Sequence, residues 1–130
     1  MSVIAIVGIV VVALAAVLHV YIFVLESLRW MEPSTWRIFN VRDRDQAEIL
    51  RPMAYNQGFY NLFLAIGAAA GIALFIDGNL PFAARALILF STASMLAAAI
   101  VLTTTGPGYL RPALVQGTLP LIGFVLFLFV

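Results

Sequence analysis

Four runs of roughly 20 apolar residues, at 3–25, 53–76, 81–102 and 113–130, restrict this chain more than any other feature. A hydrocarbon core of about 30 Å needs about 20 residues of helix to cross it. In lipid, backbone N–H and C=O groups find no water, so open strands fail and helices succeed. The expected fold class is therefore all-α: a four-transmembrane-helix bundle forming one integral membrane domain over 1–130. A long cytoplasmic loop is expected between helices 1 and 2. Composition agrees. Hydrophobic residues make up 64% of the chain and charged residues 10%, against about 45–50% and 25% in soluble domains. So few charges would not cover a soluble domain of this size.

Ala13-Leu14-Ala15 has the form of a signal-cleavage site. No basic residue precedes the first run, however, and the run continues past the site, so it is read as a retained span. The connections are well punctuated. Asp77-Gly78-Asn79 with Pro81 predicts a turn into a helix, because proline suits a first helical turn. Gly106-Pro107-Gly108 separates helices 3 and 4. Asp45, three residues before Glu48, is a helix-start signal, so helix 2 is expected to begin inside the loop and bend at Pro52. Trp30, Trp36 and Phe39 are read as interfacial anchors.

The net charge of +1 offers no polyanion-binding surface, and no basic patch interleaves with stacking aromatics, which sets nucleic acid aside. All seven basic residues are arginines. Loop 26–51 and turn 106–111 carry six of them, and Arg85 alone lies on the other side. The positive-inside rule then puts the long loop in the cytoplasm and both termini outside. There is no cysteine, hence no thiolate metal site and no cysteine nucleophile. One histidine with amides is a poor zinc set and a poor haem site, so no metal site is assigned.

Polar residues inside spans are costly and often mark function. His19 and Glu26 stand seven residues apart, two helical turns, and share a face. Asn56, Gln57, Tyr60 and Asn61 recur on helix 2, and Gln116 stands early in helix 4. With Glu26, Arg51 and Arg111 taken as boundary markers, His19 lies about 10 Å deep, the helix 2 group about 7–15 Å, and Gln116 about 7 Å. These depths predict one polar pocket opening to the cytoplasm. The plainer alternative is interhelical glue, worth about 0.6 kcal/mol per contact. Gly67 and Gly71 form a G-x-x-x-G pattern, read first as packing within the bundle and second as a dimer seam. Ser91, Thr92 and Ser94 are expected to bond back to their own helix. Thr103-Thr104-Thr105 either line a mouth or cap a helix end.

Taken together, the late histidine of helix 1, Leu25-Glu26, Trp30, Arg37-Ile38-Phe39 and the run Asn56-Gln57-Gly58-Phe59-Tyr60-Asn61 resemble the domain of unknown function 1304 family. These are small four-helix bacterial integral membrane proteins. The resemblance spans essentially the whole chain. It implies the architecture and no mechanism. A weaker similarity is to the membrane-associated eicosanoid and glutathione metabolism proteins. Their second helix carries arginine and asparagine at a glutathione site, as Arg51, Asn56 and Asn61 do in kind. The glutamate those enzymes carry beside the asparagine is absent here. By this analogy alone glutathione enters as a cofactor.

Four functional readings follow. In the first, the pocket binds a small amphipathic molecule. Arg51, Asn56, Gln57, Asn61 and Gln116 hold its polar head, with His19, Glu26 and Tyr60 as acid–base groups. The second is a membrane enzyme of the glutathione-conjugation or isomerase type; no nucleophile suggests a hydrolase. The third is an oligomeric proton-coupled transporter, which needs a homo-oligomer for its wall. The fourth is a structural membrane protein whose polar residues only pack.

Overall fold

The computed structural model describes residues 1–130 and is all-helical, with no strand. Helix α1 runs Val3–Phe23 and continues through a π-helical turn, Val24–Leu28. A short helix α2, Pro33–Ile38, follows in the connection. Then come α3 (Arg44–Asp77), α4 (Pro81–Thr103) and α5 (Leu110–Leu128). Four helices are long and apolar enough to cross a membrane. They form a ring: α1 packs against α3 and α5, and α4 closes the opposite side against the same two.

Caps explain the boundaries. Ser2 Oγ accepts from Ala5 N–H at 3.1 Å and starts α1. Asp43 Oδ1 accepts from Gln46 N–H at 2.8 Å, while Gln46 Oε1 accepts from Arg42 N–H at 2.9 Å. This reciprocal pair is the capping logic of an aspartate followed three residues later by glutamine. Helix α3 therefore starts at Arg44, inside the expected loop, and runs through Pro52 as one helix. Its far end closes on Gly78, whose φ of 79° is the left-handed cap that suits glycine. Arg85 reaches from α4 to donate to the last-turn carbonyl of Leu128 at 2.8 Å, placing a cation at the negative end of α5.

Small side chains line much of the interior, around a few large ones such as Phe127, Ile88 and Met95, while many large ones face outward. Ala5, Ala15, Ala65, Ala68 and Ala84 are buried, whereas Val17, Phe63, Ile66, Phe82 and Phe90 are exposed. Lipid supplies no hydrophobic force between helices, so close packing over small residues holds the bundle. Gly71 shows this most clearly. A Cβ there would lie 3.0 Å from the Ile88 backbone nitrogen and 3.1 Å from the Ala84 carbonyl oxygen. One turn earlier, a Cβ on Gly67 would meet Ser91 Oγ at 2.6 Å. The G-x-x-x-G pattern thus packs α3 on α4 within the bundle.

The expected long loop is replaced by a folded cap. Trp30, Trp36, Val41, Ala47 and Ala54 form a second apolar cluster over the end of the bundle. Trp30 Nε1 donates to the Ala47 carbonyl at 2.9 Å, and the Trp30 and Phe39 rings lie 5.4 Å apart. Trp30 and Trp36 are therefore buried and not interfacial anchors. The early start of α3 gives them a surface to cover. Asn40 Nδ2 donates to the Gly108 carbonyl at 3.3 Å, so the α1–α3 connection and the α4–α5 turn share one end of the molecule.

Contacts between helices also set their relative heights. The Phe23 and Phe59 rings meet edge to face with centroids 5.0 Å apart, and Gly58 lies directly against Glu26 and Ser27. Glu26 and Gly58 are thus level. Counting 1.5 Å per residue from Gly58 to Asp77 gives about 29 Å, one hydrocarbon thickness. The 34 residues of α3 extend about 51 Å, more than a hydrocarbon core of about 30 Å requires. Depths counted from Glu26 on α1 and from Arg51 on α3 therefore start at different levels, since the residue of α3 level with Glu26 is Gly58.

Candidate functional site

The site forms where α1 ends and α3 passes it. The π-helical turn at Val24–Leu28 carries Glu26 and Ser27 toward α3. Such turns insert an extra residue into a helix and recur at functional sites. The approach depends on Gly58, because a Cβ there would overlap Ser27 Oγ and lie 3.1 Å from the Cβ of Glu26. Ser27 Oγ uses the space to donate to the Tyr55 carbonyl at 2.8 Å, tying the turn to α3.

Beside this contact lies a cavity of about 140 Å³, lined by Glu26, Ser27, Leu28, Trp30, Met31, Arg51 and Tyr55. Glu26 is 4% exposed, and its Oε2 is buried without a hydrogen-bond partner. A buried carboxyl oxygen with nothing to bond is expensive, whichever protonation state it holds. Arg51 is exposed and takes part in neither ion pair of the chain, Arg29–Glu32 at 2.7 Å and Arg44–Glu48 at 3.6 Å. An acid and a base thus line one cavity without pairing with each other.

The other sequence-derived site residues do not converge there. His19 is buried, and its Nδ1–H donates to the Ala15 carbonyl at 2.8 Å, within its own helix. It lies two turns deeper than Glu26 and does not line the cavity. Asn56, Gln57 and Tyr60 are exposed on the outer side of α3. Asn61 is half-buried and donates to the Gln57 carbonyl at 3.3 Å. Gln116 is half-buried on α5. The expectation of one pocket shared by these groups is corrected. The reason is angular: Asn56 stands two residues from both Ala54 and Gly58, about 200° round the helix from each. Ala54 and Gly58 face inward because they are small, which turns Asn56 outward.

Lesser readings also resolve. Thr92 Oγ1 donates to the Ile88 carbonyl at 2.7 Å, as expected of a span hydroxyl. Thr103, Thr104 and Thr105 each donate to a carbonyl three residues back, capping the end of α4. Sequence reasoning missed Ser27, Leu28, Trp30, Met31 and Tyr55 as lining residues. The available signal was Gly58, a glycine inside an otherwise polar helical run, which marks close approach of another segment.

A family model described as Protein of unknown function (DUF1304) matches residues 13–128. The chain belongs to the DUF1304 family. The match begins within α1 and ends on the last residue of α5, so the family covers the cavity and all its lining residues. No curated protein and no solved structure matches this DUF1304 chain.

Proposed function

We propose that this DUF1304 protein seats the polar end of a small amphipathic molecule in the Glu26 cavity. The observation that carries the reading is the unpartnered Glu26 Oε2 at a cavity of about 140 Å³. A guest that donates a hydrogen bond there offsets a cost of about 1–3 kcal/mol that the empty site carries. The volume suits a head group and not a whole drug-sized molecule, whose pockets measure about 300–1,000 Å³. The apolar remainder of the guest would lie against exposed apolar surface such as Leu28, in lipid. Binding is favoured over catalysis because His19 is bonded into its own helix and Tyr60 faces outward, so no acid–base set gathers at the cavity.

The same reading places the protein in a bacterial inner membrane, with the α1–α3 connection in the cytoplasm and both termini outside. Its support is the arginine bias: six of the seven arginines lie in 26–51 and 106–111. Because the chain has no cysteine, single-cysteine labelling tests this directly. Arg42→Cys should react only after the membrane is permeabilised, and Asn79→Cys before it. The reverse pattern overturns the orientation.

Native mass spectrometry of the gently purified protein tests the site. The wild type and Asn56→Ala should retain the same small molecule or lipid, and Glu26→Gln should lose it. Retention by all three, or by none, would refute a Glu26 seat.

A further inference from the structure

We infer that the guest's head is a zwitterion: a primary ammonium held a few atoms from a phosphate, as in a phosphoethanolamine group. This rests on the cavity being a binding seat and goes on to name what fills it. Two groups at the cavity lack a partner within the chain. Glu26 lies inside, with its Oε2 lacking a donor, and Arg51 stands exposed at the same cavity with no acidic partner. Neither neutralises the other, although both line one small space. A guest carrying only a cation would engage Glu26 alone, and one carrying only an anion would engage Arg51 alone. A zwitterion with its cation leading answers both.

The order of charges fits a lipid head. Of the two groups lining the site, the guanidinium of Arg51 is exposed and the carboxyl of Glu26 is buried. In a phosphoethanolamine lipid the phosphate lies nearer the tails and the ammonium is terminal. The ammonium can therefore enter to Glu26 while the phosphate stays at Arg51. Guanidinium is well suited to phosphate oxygens through paired N–H donors.

Trp30 and Tyr55 also line the cavity, and aromatic surfaces attract quaternary ammonium groups such as choline. Choline, however, has no N–H to give to Glu26 Oε2, and Trp30 is already committed to Ala47 and Phe39. The unpartnered oxygen therefore selects a primary ammonium.

The test uses full-length protein in detergent, stripped of lipid and titrated by native mass spectrometry. The probes are phosphoethanolamine, phosphocholine and phosphoglycerol lipids with identical acyl chains, together with water-soluble O-phosphoethanolamine and ethanolamine. The phosphoethanolamine lipid should bind about ten-fold or more tightly than the other two lipids. That preference should vanish in Glu26→Gln, and Arg51→Gln, at an exposed position that leaves the fold intact, should weaken it several-fold. O-phosphoethanolamine binding as tightly as the lipid supports the same chemistry with a soluble metabolite as its source. Equal binding of choline and ethanolamine lipids, or of ethanolamine and O-phosphoethanolamine, overturns the zwitterion. If that binding still falls in Glu26→Gln, the seat itself stands. No binding of any probe, with no co-purified species, removes the seat and its ligand together.

Discussion

Gly58→Ala tests the contact on which the site depends. The new Cβ would overlap Ser27 Oγ and lie 3.1 Å from the Cβ atoms of both Glu26 and Ser27. Carbon atoms in ordinary contact stand about 3.5–4.0 Å apart, so the π-helical turn must retreat by several tenths of an ångström. Ser27 must also rotate, which breaks its 2.8 Å bond to the Tyr55 carbonyl. Losing that bond costs about 0.5–1.5 kcal/mol. The overpacking adds about 1–3 kcal/mol. Against this, alanine favours a helix over glycine by about 1 kcal/mol. The net expectation is destabilisation of about 2 kcal/mol, with overpacking deciding the sign. Equilibrium unfolding in mixed micelles, titrated with dodecyl sulfate and followed by far-ultraviolet circular dichroism, measures it. Ser27→Ala in the same background removes the overlapping oxygen, so the double variant should recover about 1 kcal/mol. A Gly58→Ala protein as stable as the wild type, or more stable, would refute the close approach of α1 and α3 here.

Three further outcomes are expected. Trp30→Phe keeps the apolar bulk of the cap but loses the Nε1 bond to Ala47, and should cost about 1 kcal/mol in the same titration; no change would mean the cap adds nothing. Asp43→Ala removes the oxygen that caps α3 and should cost about 1 kcal/mol, with faster hydrogen exchange at the Gln46 amide as its local signature. Asn56→Leu, on the outer face of α3, should shift stability by no more than about 0.5 kcal/mol; a loss well beyond that would place its amide in a contact this chain alone does not make.

The span count and type were legible because lipid leaves few solutions. Long apolar runs must be helices, and Pro81, Gly78 and 106–108 mark where they stop. The observed bounds of α4, Pro81–Thr103, differ from the expected run by one residue. The connection was misread because its signals are local and short. Asp43 and Gln46 start α3 ahead of the apolar run, and the first turns they build give Trp30 and Trp36 a face to cover. An isolated tryptophan near a span end carries the same letters whether it meets a head group or a folded cap.

The site was harder to read for a deeper reason. Periodicity tells which residues share a helix face, but not which face is inside. In water the answer comes from polarity, since polar faces turn out. In a bilayer the exterior is apolar, and polarity invites the opposite guess, that Asn56 and its neighbours turn in. Bundle packing obeys a different term. Helices without a hydrophobic drive approach along their smallest side chains, and on α3 those are Ala54, Gly58, Ala65 and Ala68. Their spacing fixes the inward face and sends Asn56, Gln57 and Tyr60 outward, where all three are exposed. The same rule draws Glu26 in, because Gly58 leaves room for the end of α1 to press close to α3. Small residues, read before polar ones, would have located the cavity.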